Sequence, residues 1–191
     1  MRVARLTRKT KETEIEMEIN LDGQGVNEIQ TPIGFLNHMF ELFSFHGGID
    51  LKIKAKGDTH IDYHHLIEDT GIVLGNCIND ALSDRRGIKR YGFQSIPMDE
   101  ALAQVSLDIG GRPFLVYNVP FDGYIKDIDI ALFEEFFRAI TINAKINLHI
   151  NVLYGKDFHH IIEAIFKAFA KALKDATKVT GETLPSTKGV I

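Results

Sequence analysis

A single cysteine, Cys77, stands among 191 residues, so no disulfide can close within the chain. It falls in an apolar stretch with helical spacing, a setting that suits a buried thiol better than a nucleophile. Basic residues are not in excess: 22 Lys and Arg face 26 Asp and Glu, a net charge of -4, which offers nucleic acid no broad cationic surface. No apolar run is long enough to cross a bilayer. The charged opening MRVARLTRKTKETE has no apolar core of the kind a signal peptide needs, and the expected location is cytoplasmic. A P-loop, a dinucleotide-binding glycine fingerprint and a serine nucleophile elbow are also missing, which removes support for nucleotide hydrolysis, redox chemistry and serine hydrolysis. What is present, 45% hydrophobic and 25% charged residues, can bury a core as one domain or as two fused half-domains.

A repeat carries the chemistry. His64-His65-Leu66-Ile67-Glu68 returns 95 positions later as His159-His160-Ile161-Ile162-Glu163. Residues four apart lie one above the other on a helix, so His64 pairs with Glu68 and His159 with Glu163, and each pair can hold a metal ion. The neighbouring His65 and His160 are turned by about 100° and must face a different ion. The repeat extends upstream: His38 lies 26 positions before His64 and Glu135 lies 24 before His159, each on a helix that precedes a strand-like segment. His38 and Glu135 are thus internal counterparts. An approximate two-fold between the halves would build one site from His38, His65, His159 and Glu163, and the other from Glu135, His160, His64 and Glu68.

Periodicity outlines the scaffold. Residues 14 to 21 alternate Ile15, Met17, Ile19 and Leu21 with Glu14, Glu16, Glu18 and Asn20, a half-buried strand closed by Asp22-Gly23. Further strands are expected at 3 to 8, 49 to 56, 92 to 98, 101 to 109, 113 to 119 and 146 to 154, and helices at 33 to 46, 64 to 83, 129 to 143 and 159 to 177. Paired strands alternating with helices give an α+β class with mainly antiparallel sheets and helices on one face. Residues 1 to 91 and 92 to 191 form the two half-domains. The segment 181 to 191 has no apolar period and is expected either as a loop or as a segment ordered only by binding something.

The runs RKTKET, LNHMFELFSFHGG, DYHHLIEDTG, DIGGRP, LHINVLYGKDFHHIIEAIFKAFAKAL and PSTKG occur in this order over nearly the whole chain. Together they make the sequence similar to the imidazoleglycerol-phosphate dehydratases of histidine biosynthesis. The resemblance implies two half-domains, each a four-stranded sheet with two helices on one face, two manganese ions per active site, and a homo-oligomeric shell of 24 subunits. It implies His38, His65, His159 and Glu163 as ligands of one ion, and His64, Glu68 and His160 as ligands of the other. The plant enzymes have histidine at the remaining position, where this chain has Glu135. A carboxylate there suits a hard ion such as manganese, while the histidine-rich remainder would also accept zinc or iron.

The implied substrate is a small phosphorylated imidazole. Arg90, Arg112 and Lys188, with Ser186 and Thr187, resemble the family's phosphate contacts, and guanidinium forks match phosphate oxygens. Lys167, one turn beyond Glu163, adds a cation. Glu12 resembles a family residue that reaches the substrate, which implies proton transfer by Glu12; Glu68 and Glu163 are also counted as catalytic. His38, His64 and His46, the last ahead of Gly47-Gly48, are candidate substrate contacts. The dehydration implied passes through an ionised imidazole ring that helps expel the neighbouring hydroxyl, then an enol that becomes a ketone. The competing readings are a binuclear metal-dependent hydrolase of phosphorylated substrates and a non-catalytic metal-binding assembly protein.

Overall fold

A computed structural model describes residues 1–191 as ten strands and four helices. Strand β1 (Val3–Lys9) pairs antiparallel with β2 (Thr13–Asn20), and β2 pairs antiparallel with β4 (Asp50–Gly57). The alternation in β2 works as its sequence dictates: Ile15, Met17 and Ile19 are fully buried while the intervening glutamates face outward. Beside β4 lies β3 (Asn27–Gln30), parallel to it and reached through α1 (Gly34–Gly47). A parallel neighbour needs such a crossover, and the helix supplies it.

The second half repeats this plan. Strands β5 (Tyr91–Met98), β6 (Ala101–Asp108), β10 (Asn147–Tyr154) and β7 (Phe114–Asn118) form a sheet of order β5-β6-β10-β7, strand for strand the counterpart of β1-β2-β4-β3. Again the last pair is parallel, and α3 (Leu132–Ala144) lies in its crossover. Helices α2 (His64–Leu82) and α4 (Phe158–Thr177) follow β4 and β10.

Two elements differ from the expectation. Strand β3 was not foreseen, because four residues with only Ile29 turned inward carry no readable period. The helix expected from residue 129 begins at Leu132, because Ile128–Asp129 is strand β9, paired with β8 (Tyr124–Ile125) in a small hairpin. The segment 181–191 has neither helix nor strand, as expected.

The sheets are the outer layers and the helices lie between them. Helix α2 packs on β1 and β2 and α4 on β5 and β6, while across the middle α2 meets α3 and α1 meets α4. One continuous cluster of 50 buried residues therefore serves both halves. Two glycines set the closeness of the α2 to α3 contact: a Cβ at Gly71 would lie 2.6 Å from the Phe136 carbonyl oxygen, and one at Gly75 would lie 2.8 Å from that of Ile140. Cys77 is buried on α2, and burial pushes its thiol up to about 12.

Candidate metal centre

Both histidine doublets open a helix, and an aspartate just ahead of each holds them there. Asp62 Oδ1 accepts the His64 backbone N–H at 2.8 Å, and Asp157 Oδ1 accepts that of His159 at 2.8 Å. The first-turn amides of a helix have no intrahelical partner, and a short acidic side chain satisfies them. Asp62 and Asp157 extend the repeat by two residues, a correspondence the sequence reading passed over.

Because α1 lies against α4, residues from both halves converge. His38 of α1 places Nε2 3.7 Å from Glu163 Oε2 on α4, and His159 Nε2 lies 3.4 Å from the same oxygen. These three residues form a group whose ligand atoms all lie within 4.8 Å of one another. The edge of Phe35 braces His159, with ring centroids 5.0 Å apart. Glu163 is buried, and its other oxygen pairs with Lys167. Burial alone would raise the Glu163 carboxyl, but the Lys167 hydrogen bond and charge, aided by His38 and His159, hold it below the usual carboxylate range. His46, in the last turn of α1, is kept neutral to lower pH by its burial and by the charges of Lys167 and Lys171.

The other half offers the counterpart pair, His64 Nε2 and Glu68 Oε2, 3.5 Å apart. Glu135 stands on the adjoining α3, where its carboxylate lies 3.4 Å from Arg138 Nε; it does not close with His64 and Glu68 into a three-residue group. His65 and His160 point away from both clusters. His65 Nδ1 lies 3.0 Å from Asp58 Oδ2 and its Nε2 lies 4.0 Å from Glu12 Oε1. His160 Nδ1 lies 2.8 Å from Glu100 Oε2 and its Nε2 lies 3.9 Å from Asp99 Oδ2. The hydrogen bonds to Asp58 and Glu100 raise the two imidazoles above their ordinary values. Glu100 is pushed down to about 2, first by the Asp157 backbone N–H and then by His160. Neither Asp58 nor Glu100 was singled out from the sequence.

The candidate phosphate contacts gather elsewhere. Arg90 has a left-handed backbone, φ 74, and its Nε and Nη2 donate to Asp108 at 2.7 and 3.1 Å. Its Nη1 donates to the Pro185 carbonyl at 2.8 Å, tethering the segment that carries Ser186, Thr187 and Lys188. Within that segment Ser186 Oγ donates to the Val190 carbonyl and accepts from the Lys188 N–H. Arg112 lines a cavity of about 640 Å³ with Lys89, Tyr91, Phe93, Asp108 and His149. The Arg90 N–H bonds the Ala176 carbonyl near the end of α4, whereas His159 sits at its start. Seventeen helical steps separate His159 from Ala176, about 26 Å at 1.5 Å each.

Comparison with known proteins gives a consistent picture. Residues 31–173 match the family model described as imidazoleglycerol-phosphate dehydratase. The chain is 72% identical over 191 residues to the protein of that name from Thermodesulfovibrio yellowstonii, covering 100% of each chain. It is 50% identical over 192 residues to the one from Methanosarcina mazei, again covering 100% of each. The structure resembles imidazoleglycerol-phosphate dehydratase from Staphylococcus aureus with a TM-score of 0.85 at 43% identity, over 93% of this chain and 99% of that one. It also resembles the Pyrococcus furiosus protein, solved in complex with (S)-C348, with a TM-score of 0.86 at 37% identity, over 97% of this chain and 100% of the other.

Proposed function

The chain belongs to the imidazoleglycerol-phosphate dehydratase family and is a hydro-lyase of histidine biosynthesis, and from that premise we propose that it turns imidazole glycerol phosphate into imidazole acetol phosphate and water at di-metal sites built between subunits. The donor set fits divalent ions. Octahedral bonds of about 2.1 Å would put neighbouring donors about 3 Å apart and opposed donors about 4 Å apart; His38 and His159 already stand 3.7 and 3.4 Å from Glu163 Oε2, and all three ligand atoms lie within 4.8 Å of one another. One ion takes His38, His159 and Glu163 with His65, and the other takes His64, Glu68 and Glu135 with His160. The mixture of nitrogen and carboxylate oxygen suits manganese. When bound, such ions supply Lewis-acid charge that stabilises an anionic imidazole ring.

The remaining work falls to the chain. Glu12 sits in the β1 to β2 turn, where Thr10 Oγ1 accepts its N–H at 3.0 Å and its carbonyl accepts from Asp58. The hydroxyl leaves as water with the proton the ring gave up on ionising, the solvent-facing Glu12 carboxylate takes the side-chain proton, the ring nitrogen is reprotonated, and the resulting enol tautomerises to the ketone. Glu68 and Glu163 hold negative charge beside the ring-binding histidines. Arg90, Arg112, Ser186, Thr187 and Lys188 bind the phosphate, and Lys167 and His46 face the substrate beside the first ion.

The observation that carries the intersubunit reading is the length of α4. Metal-binding and phosphate-binding residues at opposite ends of a helix, about 26 Å apart, cannot meet on one small molecule within one subunit. His65 and His160, turned away from their own clusters, likewise need another copy. In this reading residues 1–91 and 92–191 are the two repeats, the assembly has 24 subunits, and the enzyme works in the cytoplasm. The test is an assay of manganese-loaded protein with imidazole glycerol phosphate. A ketone that retains its phosphate is expected; release of inorganic phosphate would overturn the reading. Mixed assemblies of Arg90→Ala and His159→Ala subunits should regain activity that neither variant has alone, and no regain would refute the shared site.

A further inference from the structure

His65 and His160 occupy equivalent places in the repeat, and each has Nδ1 against a carboxylate, yet those carboxylates come from places that are not equivalent. Asp58 lies in the connection from β4 to α2. Glu100 lies in the hairpin between β5 and β6, the counterpart of the turn that carries Glu12 in the first half. The same contact has thus been reached from two directions, which points to a requirement on the contact itself. The first histidines of the doublets, His64 and His159, have no such partner on Nδ1 and face Glu68 and Glu163 through Nε2.

We propose that Asp58 and Glu100 are positioning residues that lock His65 and His160 as Nδ1–H tautomers, each with a bare Nε2 lone pair presented to a divalent cation held mainly by another subunit. The inference rests on the di-metal reading above. A carboxylate can only accept, so the proton of a neutral imidazole must sit on Nδ1 and Nε2 is left as the donor atom. Both carboxylates are committed to this task. The other oxygen of Asp58 is buried and bonds nothing else. The other oxygen of Glu100 accepts the Lys156 and Asp157 backbone N–H groups at 3.1 and 2.8 Å, fixing the acid before α4 begins. Such outer partners typically govern metal affinity by about 10–100-fold.

The test uses full-length Asp58→Ala and Glu100→Ala proteins, with Asp58→Asn and Glu100→Gln as milder variants whose amide oxygens can still accept from Nδ1–H. Manganese affinity is measured by titration calorimetry, and histidine tautomers by nitrogen-15 spectroscopy of the metal-free protein. Asp58→Ala should weaken the ion that His65 serves by about 10–100-fold, Glu100→Ala should do the same to the ion that His160 serves, and Asp58→Asn and Glu100→Gln should each weaken theirs by less. In Asp58→Ala the His65 proton should move from Nδ1 towards Nε2. If His65→Ala and His160→Ala keep all their manganese, the di-metal reading falls and the proposal with it. If those variants each lose an ion while Asp58→Ala and Glu100→Ala bind as tightly as the parent with unchanged tautomers, the proposal alone is refuted.

Discussion

Removing the Lys167 ammonium, by Lys167→Met, exposes how the first cluster is balanced. Glu163 and Lys167 have side chains only 9% and 16% exposed and pair directly, while His38 and His159 approach the other carboxylate oxygen at 3.7 and 3.4 Å. Methionine keeps the stem and removes the charge. Breaking a buried pair costs about 3–5 kcal/mol, but the cluster is open to solvent on the side of the partly exposed His38 and His159, so about 2–3 kcal/mol is expected for the metal-free protein. In a chain of this size each kcal/mol moves Tm by about 2–4 °C, a fall of about 4–12 °C in total. A divalent ion at Glu163 replaces the missing charge, so manganese should return most of that loss. The pH dependence follows from the sign of the shift. The Glu163 carboxyl is held below its usual value, so its contribution is present above the unfolded value of about 4.5 and is lost as pH falls through the lower folded value. The gap between parent and variant should therefore be widest near neutrality and close in acid, where Glu163 is protonated. Calorimetric melting of chelated and manganese-loaded samples across pH reads all of this. Equal Tm values for the two metal-free proteins, or a gap that manganese leaves unchanged, would refute the charge balance described.

Three further outcomes test other parts of the site. His64→Ala and His65→Ala should each lose about one ion per subunit, but different ions; anomalous diffraction at the manganese edge reads this, and loss of the same ion from both would sink the argument from helix facing. Glu135→His should shed its metal at higher pH than the parent in an acid titration, because imidazole takes a proton near neutrality and a carboxylate does not; superimposable titration curves for the parent, Glu135→His and Glu135→Ala would show that Glu135 is no ligand. Gly71→Ala should separate α2 from α3 despite its better helix propensity, at a net cost of about 1–2 kcal/mol, and weaken the ion at Glu68 and Glu135 before the one at Glu163; a raised Tm with both ions held normally would contradict the packing described.

The helices that carry the histidine doublets were legible because their spacing obeys a short period. His64 with Glu68 and His159 with Glu163 follow from helical geometry, and β2 announces itself through Ile15, Met17 and Ile19. The meeting of His38 with the α4 pair was anticipated from the repeat and is seen in the structure. Other features answer to no local pattern. Strand β3 is defined by its parallel pairing with β4 across a helix. Glu100 reaches His160 over 60 positions, a distance at which spacing carries no information. The tether between Arg90 and the Pro185 carbonyl is equally invisible, since any residue could supply that carbonyl. The basic run at 85–90, which reads as solvated surface, holds a buried Arg85 whose guanidinium donates to Asn79 and to the Ala144 carbonyl.

The crossing of helices between the halves bears on how the surroundings of the two histidine doublets come to differ. With α1 against α4 and α2 against α3, each histidine doublet lies on a helix packed against one from the opposite repeat, as it would in a symmetric pair of separate half-length chains. In such a pair every substitution would appear in both sites at once. Joined in a single chain, the two copies are free to drift apart, and the drift is written in this sequence: His38 stands on α1 where Glu135 stands on α3, Asp58 braces one outward histidine where Glu100 braces its twin, and the buried Asp69, which binds Arg8 and Thr13, has only Ala164 as its counterpart on α4. Covalent union gives the two clusters separate inheritances, so the surroundings of one histidine doublet can change while those of the other stay as they are.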